Sequence, residues 1–146
     1  MTDFATTTAF QLVRRLAAAG QETPSLYMLI SEPVAIDIIR EDLAAEVEVQ
    51  LGGNLRSVAP NWSEDAMITV GGSPVVLITL DQWAPTTIAA MDRNIVRLTT
   101  AGPVLLLATA EVAEKAVAAA PNVRSRLTDI LLIERDKAFG GARREP

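Results

Sequence analysis

The 146-residue chain has no cysteine and no histidine, and only two of its thirteen basic residues are lysines, Lys115 and Lys137. These absences exclude disulfides, thiol nucleophiles and the imidazole bases of histidine-dependent triads. They also remove the ligands that structural zinc sites use, and leave few lysines for a Schiff base or a bound phosphate. This missing inventory favours a protein that is not an enzyme and needs no cofactor.

The charge and the aromatic content exclude further classes. The net charge of −5 argues against general nucleic-acid binding, which needs a basic face. Aromatic residues make up 4% of the chain, which argues against a sugar-binding cleft. The apolar runs are far shorter than the ~20 residues of a membrane-spanning helix. We therefore expect a cytoplasmic protein with no membrane insertion.

The length and composition indicate one folded domain. Hydrophobic residues make up 49% of the chain and charged residues 21%, as in globular proteins. The last ten residues are charged and contain two glycines, so we expect a single domain over residues 1–136 and a flexible tail over 137–146. Residues 1–20 resemble either an organellar transit peptide or an amphipathic first helix. The helical spacing of Phe10, Val13, Leu16 and Ala17 favours the helix.

Helical and strand-like patterns alternate along the rest of the chain. Strands are predicted at 26–30, 55–59, 75–80, 104–108 and 129–134, and helices at 8–19, 33–51, 85–100 and 110–120. The strands are uninterrupted apolar runs, which is typical of strands covered on both faces. The sequence therefore predicts an α/β fold, a three-layer sandwich with a mostly parallel sheet of about four to five strands. The segment 60–73 has no clear pattern.

Two further predicted helices have a definable apolar face. In the second helix the face comprises Val34, Ile38, Leu43, Val47 and Leu51. In the third helix it comprises Ile88, Met91, Ile95 and Leu98. The same periodicity directs Asp92, Arg93 and Arg97 of the third helix away from the core.

Ligands of parallel sheets bind beyond the carboxyl ends of the strands, so polar side chains at those ends are candidate site residues. Asp81 ends the clearest apolar strand, and a carboxylate there is typical of residues that hold Mg²⁺ through water. It is equally suited to begin a turn or to cap the helix that starts at Pro85. Trp62 and Trp83 fall in predicted loops, where tryptophans either form interaction hot spots or pack a loop onto the domain.

Arginines and acids of the predicted helices give two further candidates. Arg93, Arg97, Arg124 and Arg126 form a candidate anion-binding cluster, because guanidinium groups pair with carboxylate and phosphate. The alternative is a set of surface arginines facing Asp92 and Glu114. An acidic surface, suited to a divalent ion or a basic partner or simply solvated, comprises Glu41, Asp42, Glu46 and Glu48.

A family resemblance covers residues 75–134. The segment Leu-Ile-Thr-Leu-Asp at 77–81 resembles the Walker B strand of P-loop NTPases. It is followed by a helix with Met-Asp-Arg-Asn-Ile-Val-Arg-Leu at 91–98, a strand at 103–109, and Ala-Ala-Pro-Asn-Val-Arg-Ser-Arg at 119–126. This order is similar to the nucleotide-binding core of bacterial STAND- and AAA-type signalling ATPases. The strand and helix at 26–52 extend the resemblance upstream.

The chain departs from that family at the phosphate-binding turn. A P-loop needs glycines whose backbone N–H groups surround the phosphates, followed by a lysine and a hydroxyl. At the matching position, residues 31–37 read Ser-Glu-Pro-Val-Ala-Ile-Asp, with no glycine and no lysine. Glu32 and Asp37 would repel a triphosphate, and Pro33 lacks an N–H. The resemblance therefore implies a degenerate core that lacks a Walker A motif.

Two functions follow from these observations. The first is a non-catalytic protein–protein interaction or assembly module in a bacterial signalling, defence or multiprotein apparatus. Its partner would be another protein or a second copy of the chain, since the alanine-rich helix at 110–120 permits close packing. The alternative is a small Mg²⁺-dependent or nucleotide-binding enzyme that uses Asp81 with Glu32 or Asp136.

Overall fold

The computed structural model describes residues 4–20, 23–58, 74–80, 85–99 and 102–135. The strands of this part are β1 (Ala5–Thr8), β2 (Ser25–Ile30), β3 (Leu55–Val58), β4 (Val75–Leu80), β5 (Pro103–Ala108) and β6 (Asp129–Glu134). The helices are α1 (Ala9–Ala19), α2 (Ile36–Leu51), α3 (Pro85–Thr99), α4 (Ala110–Ala119) and α5 (Pro121–Arg126). None of these helices is long and apolar enough to cross a membrane.

The strands form one sheet in the order β1-β6-β2-β5-β4-β3, and every described pair is parallel. The predicted α/β sandwich is confirmed, but the expected count of four to five strands was too low. The additional strand is β1, a threonine-rich segment that, among the described strands, pairs with β6 alone, from the other end of the chain. A strand of four residues with three threonines has no apolar run from which the sequence could predict it.

The sheet is covered by helices on both faces, with a hydrophobic core on each. Helices α1 and α2 pack on what we call the first face, and α3, α4 and α5 pack on the second face. Residues of β2 alternate between the cores: Tyr27 and Leu29 belong to the first, Leu26 and Met28 to the second. Apolar side chains are thus needed at successive positions, which explains why the central strands have no polar alternation.

The strand connections change face between β2 and β5. The chain leaves β2 for α2 on the first face and leaves β5 for α4 on the second face. These strands are neighbours, with Ile30 opposite Ala108, and the N–H of Ser31 donates to the carbonyl of Ala108 at 2.9 Å. The two carboxyl ends therefore form the switch point of the sheet, where ligands of open α/β sheets bind.

The buried face of α1 differs from the predicted one. Its fully buried residues are Ala9, Leu12, Val13 and Leu16. Phe10 is half-buried and Ala17 is exposed, so the predicted stripe was displaced around the helix. The start and end of α1 agree with the sequence: Thr8 accepts a hydrogen bond from the N–H of Gln11, and Gly20 is the C-cap with a φ of 95°.

The predicted face of the second helix was also partly wrong. Pro33 begins a 3-10 turn, Pro33–Ala35, and the α-helix itself begins only at Ile36. Because a 3-10 turn has three residues per turn, it shifts the phase of the helix that follows. The buried residues are consequently Ile39, Leu43 and Val47. Val34, which the periodicity assigned to the core, is 90% exposed.

The later elements agree better with the sequence. The face of Ile88, Met91, Ile95 and Leu98 on α3 is buried as predicted. Asp92, predicted to point away, is only 8% exposed, and that prediction was wrong. Pro121 does not merely end α4; it begins the separate short helix α5, at the first helical position that favours proline.

Candidate interaction surface

The switch point is closed by a compact turn. The N–H of Ala35 donates to the carbonyl of Glu32 at 3.0 Å, which forms the 3-10 turn. Ser31 is 4% exposed, and its Oγ donates to the carbonyl of Glu32 at 2.9 Å. Its hydroxyl thus already has a partner, and Glu32 itself points to solvent. This turn follows β2, at the position that the sequence resemblance matches to a P-loop.

The described turn does not fit a nucleotide phosphate. Pro33 lacks an N–H at the point where a row of backbone donors is needed. Asp37 lies in the first turn of α2, where its negative charge stabilises the helix N-terminus in place of a bound anion. Its carboxylate lies 3.4 Å from the guanidinium of Arg40, and this ion pair is exposed to solvent and therefore weak. A phosphate here would meet carboxylates and no lysine.

Several predicted site residues lie outside the described residues. These are Trp62, Asp81, Trp83 and Asp136. The predicted Mg²⁺ ligand and the tryptophan contacts therefore stay predictions. In the described ranges, no group of three or more Asp or Glu side chains is placed to hold a metal ion.

The four predicted anion-binding arginines lie on two helices that pack together. Arg93 and Arg97 are exposed on α3, and Arg124 and Arg126 are exposed on α5. The guanidinium of Arg124 donates to the carbonyls of Val117 at 2.8 Å and Ala118 at 3.2 Å. These carbonyls lie in the last turn of α4 and have no partner within the helix. Arg124 therefore has a structural role, and anion binding by the group stays a prediction.

The acidic surface of α2 is partly neutralised within the chain. Arg135, which follows β6, reaches across the first face so that its Nε lies 3.2 Å from Oδ2 of Asp42. The Oε1 of Glu46 accepts a hydrogen bond from Gln50 at 2.8 Å. Two of the four acids thus have internal partners, and the surface alone does not define a site.

Sequence reasoning missed a groove of about 700 Å³ on the second face. We call it the α4–β6 groove. Its floor is formed by Met28 and Ile30 of β2 and by Ile130 and Leu132 of β6. The wall is formed by α4, from Ala110 to Ala118, and Phe4 also lines the groove. The lining is apolar except for the carboxylate of Glu114.

The groove exists because, in the part of the chain that the structure describes, β6 is only partly covered on the second face, where Ile130 packs against the core. Leu131 and Ile133 are buried against the first face, whereas Leu132 is 37% exposed on the second. On β1 the same contrast holds between buried Thr7 and exposed Thr6. The sequence carried one signal: the charged ends Asp129 and Glu134 give β6 more polarity than the central strands have.

The comparisons with known proteins identify the fold. No family model matches the chain, and no curated protein matches it. The chain is similar to a solved structure described as the crystal structure of the DnaC helicase loader, with a TM-score of 0.54. The two share 10% sequence identity, and the match covers 90% of this chain and 94% of that one. The likeness shows a P-loop-like fold, and at this identity it shows the fold alone.

Proposed function

We propose that this chain is a non-catalytic protein–protein interaction or assembly module built on a P-loop-like fold. The observation that carries the proposal is the turn at residues 31–37. It follows the strand that the sequence resemblance matches to the one before a P-loop, yet it contains a proline, two acids, no glycine and no lysine. Without a turn that binds phosphate, what the fold offers a ligand is its outer surface.

The similar solved structure supports an interaction role. It is named a helicase loader, and a loader acts through contact with another protein. On the basis of that name we propose for this chain contact with a protein partner and nothing more specific. The resemblance to STAND- and AAA-type ATPases suggests a bacterial signalling, defence or multiprotein apparatus in the cytoplasm. The partner is another protein or a second copy.

Two measurements on the purified full chain test this proposal. We expect no saturable binding of a fluorescent ATP analogue with Mg²⁺ and no ATP hydrolysis, because the turn presents carboxylates to the phosphates. Light scattering over a concentration series separates the two kinds of partner. A defined oligomer indicates contact with a second copy, whereas a monomer excludes self-assembly and leaves a different protein or the Mg²⁺-dependent alternative to be tested. Saturable Mg²⁺–ATP binding with turnover would contradict the proposal.

A further inference from the structure

We infer that the α4–β6 groove receives one amphipathic helix of a partner protein, with a basic side chain of that helix placed against Glu114. This inference rests on the proposed interaction role and names the surface that serves it. Three observations carry it: the uncovered strands, the small residues of the groove wall, and the carboxylates on this face.

The uncovered part of the second face is one helix wide. Among the described residues, α3, α4 and α5 pack mainly over β2, β5 and β4, and β6 contributes only the partly buried Ile130 to the second core. Neighbouring strands lie about 4.8 Å apart, so this pair of strands is about as wide as one helix, roughly 10 Å. A partner helix lying beside α4 would therefore continue the existing helical layer.

The wall of the groove permits close approach. Ala110 and Ala118 are exposed on α4 at opposite ends of the groove, about 12 Å apart along the helix axis. Small side chains let a neighbouring helix backbone come near. The contact is about two turns long, so it accommodates an apolar stripe of residues spaced three and four apart. Leu132 supplies the exposed apolar floor.

The charge on this face selects a basic partner. Glu114 lines the groove, and Glu134 is exposed on the same face of β6, two residues beyond Leu132. Neither carboxylate makes an ion pair within the described part of the chain, whereas Glu111 is paired with Lys115 at 3.4 Å. A lysine or arginine beside the apolar stripe of the partner would therefore complement the groove.

The same charges disfavour a second copy of this chain. The α2 side of the molecule has the most exposed large apolar residues, Val34 and Val49, but it also carries Glu41 and Glu48. Docking that acidic surface against Glu114 would bring like charges together. Two grooves facing each other across a twofold axis would likewise face their Glu114 carboxylates.

A pair of peptides tests the inference on the full chain. Both are amphipathic helices of about 15 residues, near the length at which an isolated helix becomes stable in water. They have the same leucine stripe, flanked by lysines in one and by glutamates in the other. We expect the lysine peptide to bind at least ~10-fold more tightly, with NMR shifts confined to α4 and β6. The variant Glu114→Lys should reverse this preference.

The control and the second variant separate this result from general charge attraction or misfolding. Glu111→Lys makes the same charge change one turn away, outside the groove, and should leave the preference for the lysine peptide unchanged. Leu132→Lys should abolish binding while the circular dichroism spectrum is retained. Equal binding of the two peptides, shifts on another surface, or no binding would each overturn the inference.

The outcome is distinguishable from a failure of the interaction role. Only Mg²⁺–ATP binding with turnover contradicts that role, whereas the peptide titration addresses the groove alone. A dimer in light scattering that Leu132→Lys converts to a monomer would overturn the partner-helix inference and assign the groove to a second copy.

Discussion

The carboxylate of Asp92 on α3 accepts a hydrogen bond at 2.8 Å from the backbone N–H of Val123, in the first turn of α5. The side chain of Asn122 donates in return to the carbonyl of Asp92 at 3.1 Å. Ala120, the N-cap of α5, has no side chain that can cap it. Asp92 therefore caps α5 from another helix and holds the two helices together.

Asp92→Ala should lower the free energy of unfolding by about 1–3 kcal/mol, because it leaves the buried N–H of Val123 without a partner. Asp92→Asn, which retains an acceptor oxygen, should lose less. The measurement is urea denaturation followed by circular dichroism. Arg93→Ala, at the exposed neighbouring position, is the matched control, and a loss there equal to that of Asp92→Ala would refute the capping role.

Arg124→Ala should destabilise the protein by roughly 0.5–1 kcal/mol, because the last carbonyls of α4 then depend on water. Arg126→Ala, on the same short helix and also exposed, should have no measurable effect on the urea midpoint. Equal effects of the two α5 substitutions would argue against the role of Arg124 at α4.

If the four arginines bind an anion, sulfate should raise the Tm of the wild type, and Arg93→Ala or Arg97→Ala should reduce that rise.

Leu131 and Leu132 are adjacent on β6 and face opposite sides of the sheet. Leu131→Ala should cost about 2–5 kcal/mol, because Leu131 is 1% exposed within the first core. Leu132→Ala should cost less than about 1 kcal/mol, because its side chain is already 37% exposed in the α4–β6 groove. Equal losses in chemical denaturation would mean that both faces of β6 are covered in solution.

Removing the negative charges at residues 31–37 should not create a nucleotide site. The double variant Glu32→Gln, Asp37→Asn removes repulsion but adds no backbone donor and no lysine. We expect no change in Tm on adding Mg²⁺–ATP to the wild type or to this variant.

Mg²⁺ alone tests the alternative, in which Asp81 holds the metal with Glu32 or Asp136. In that case Mg²⁺ would raise the Tm of the wild type, and Glu32→Gln would reduce the rise where Glu32 is the second ligand. The interaction role instead predicts the same Tm with and without Mg²⁺ for both proteins. Thermal shift over a Mg²⁺ titration decides between the two.

The sequence predicted the elements whose burial depends on neighbours close along the chain. The uninterrupted apolar run of β4 and the helical spacing of Ile88, Met91 and Ile95 are complete within one segment, so their core side is readable locally. The missing phosphate-binding residues at 31–37 were also readable, since their absence does not depend on packing.

Only the tertiary structure decided the features that join distant segments. Asp92 is buried because α5, 31 residues later, supplies a backbone donor that no helical periodicity reveals. Strand β1 is held by pairing with β6 from the far end of the chain. The α4–β6 groove exists because the described helices of the second face pack mainly over β2, β5 and β4 and leave Leu132 of β6 37% exposed. Strand order and helix placement set these relationships, and both arise from contacts between residues that are far apart in the chain.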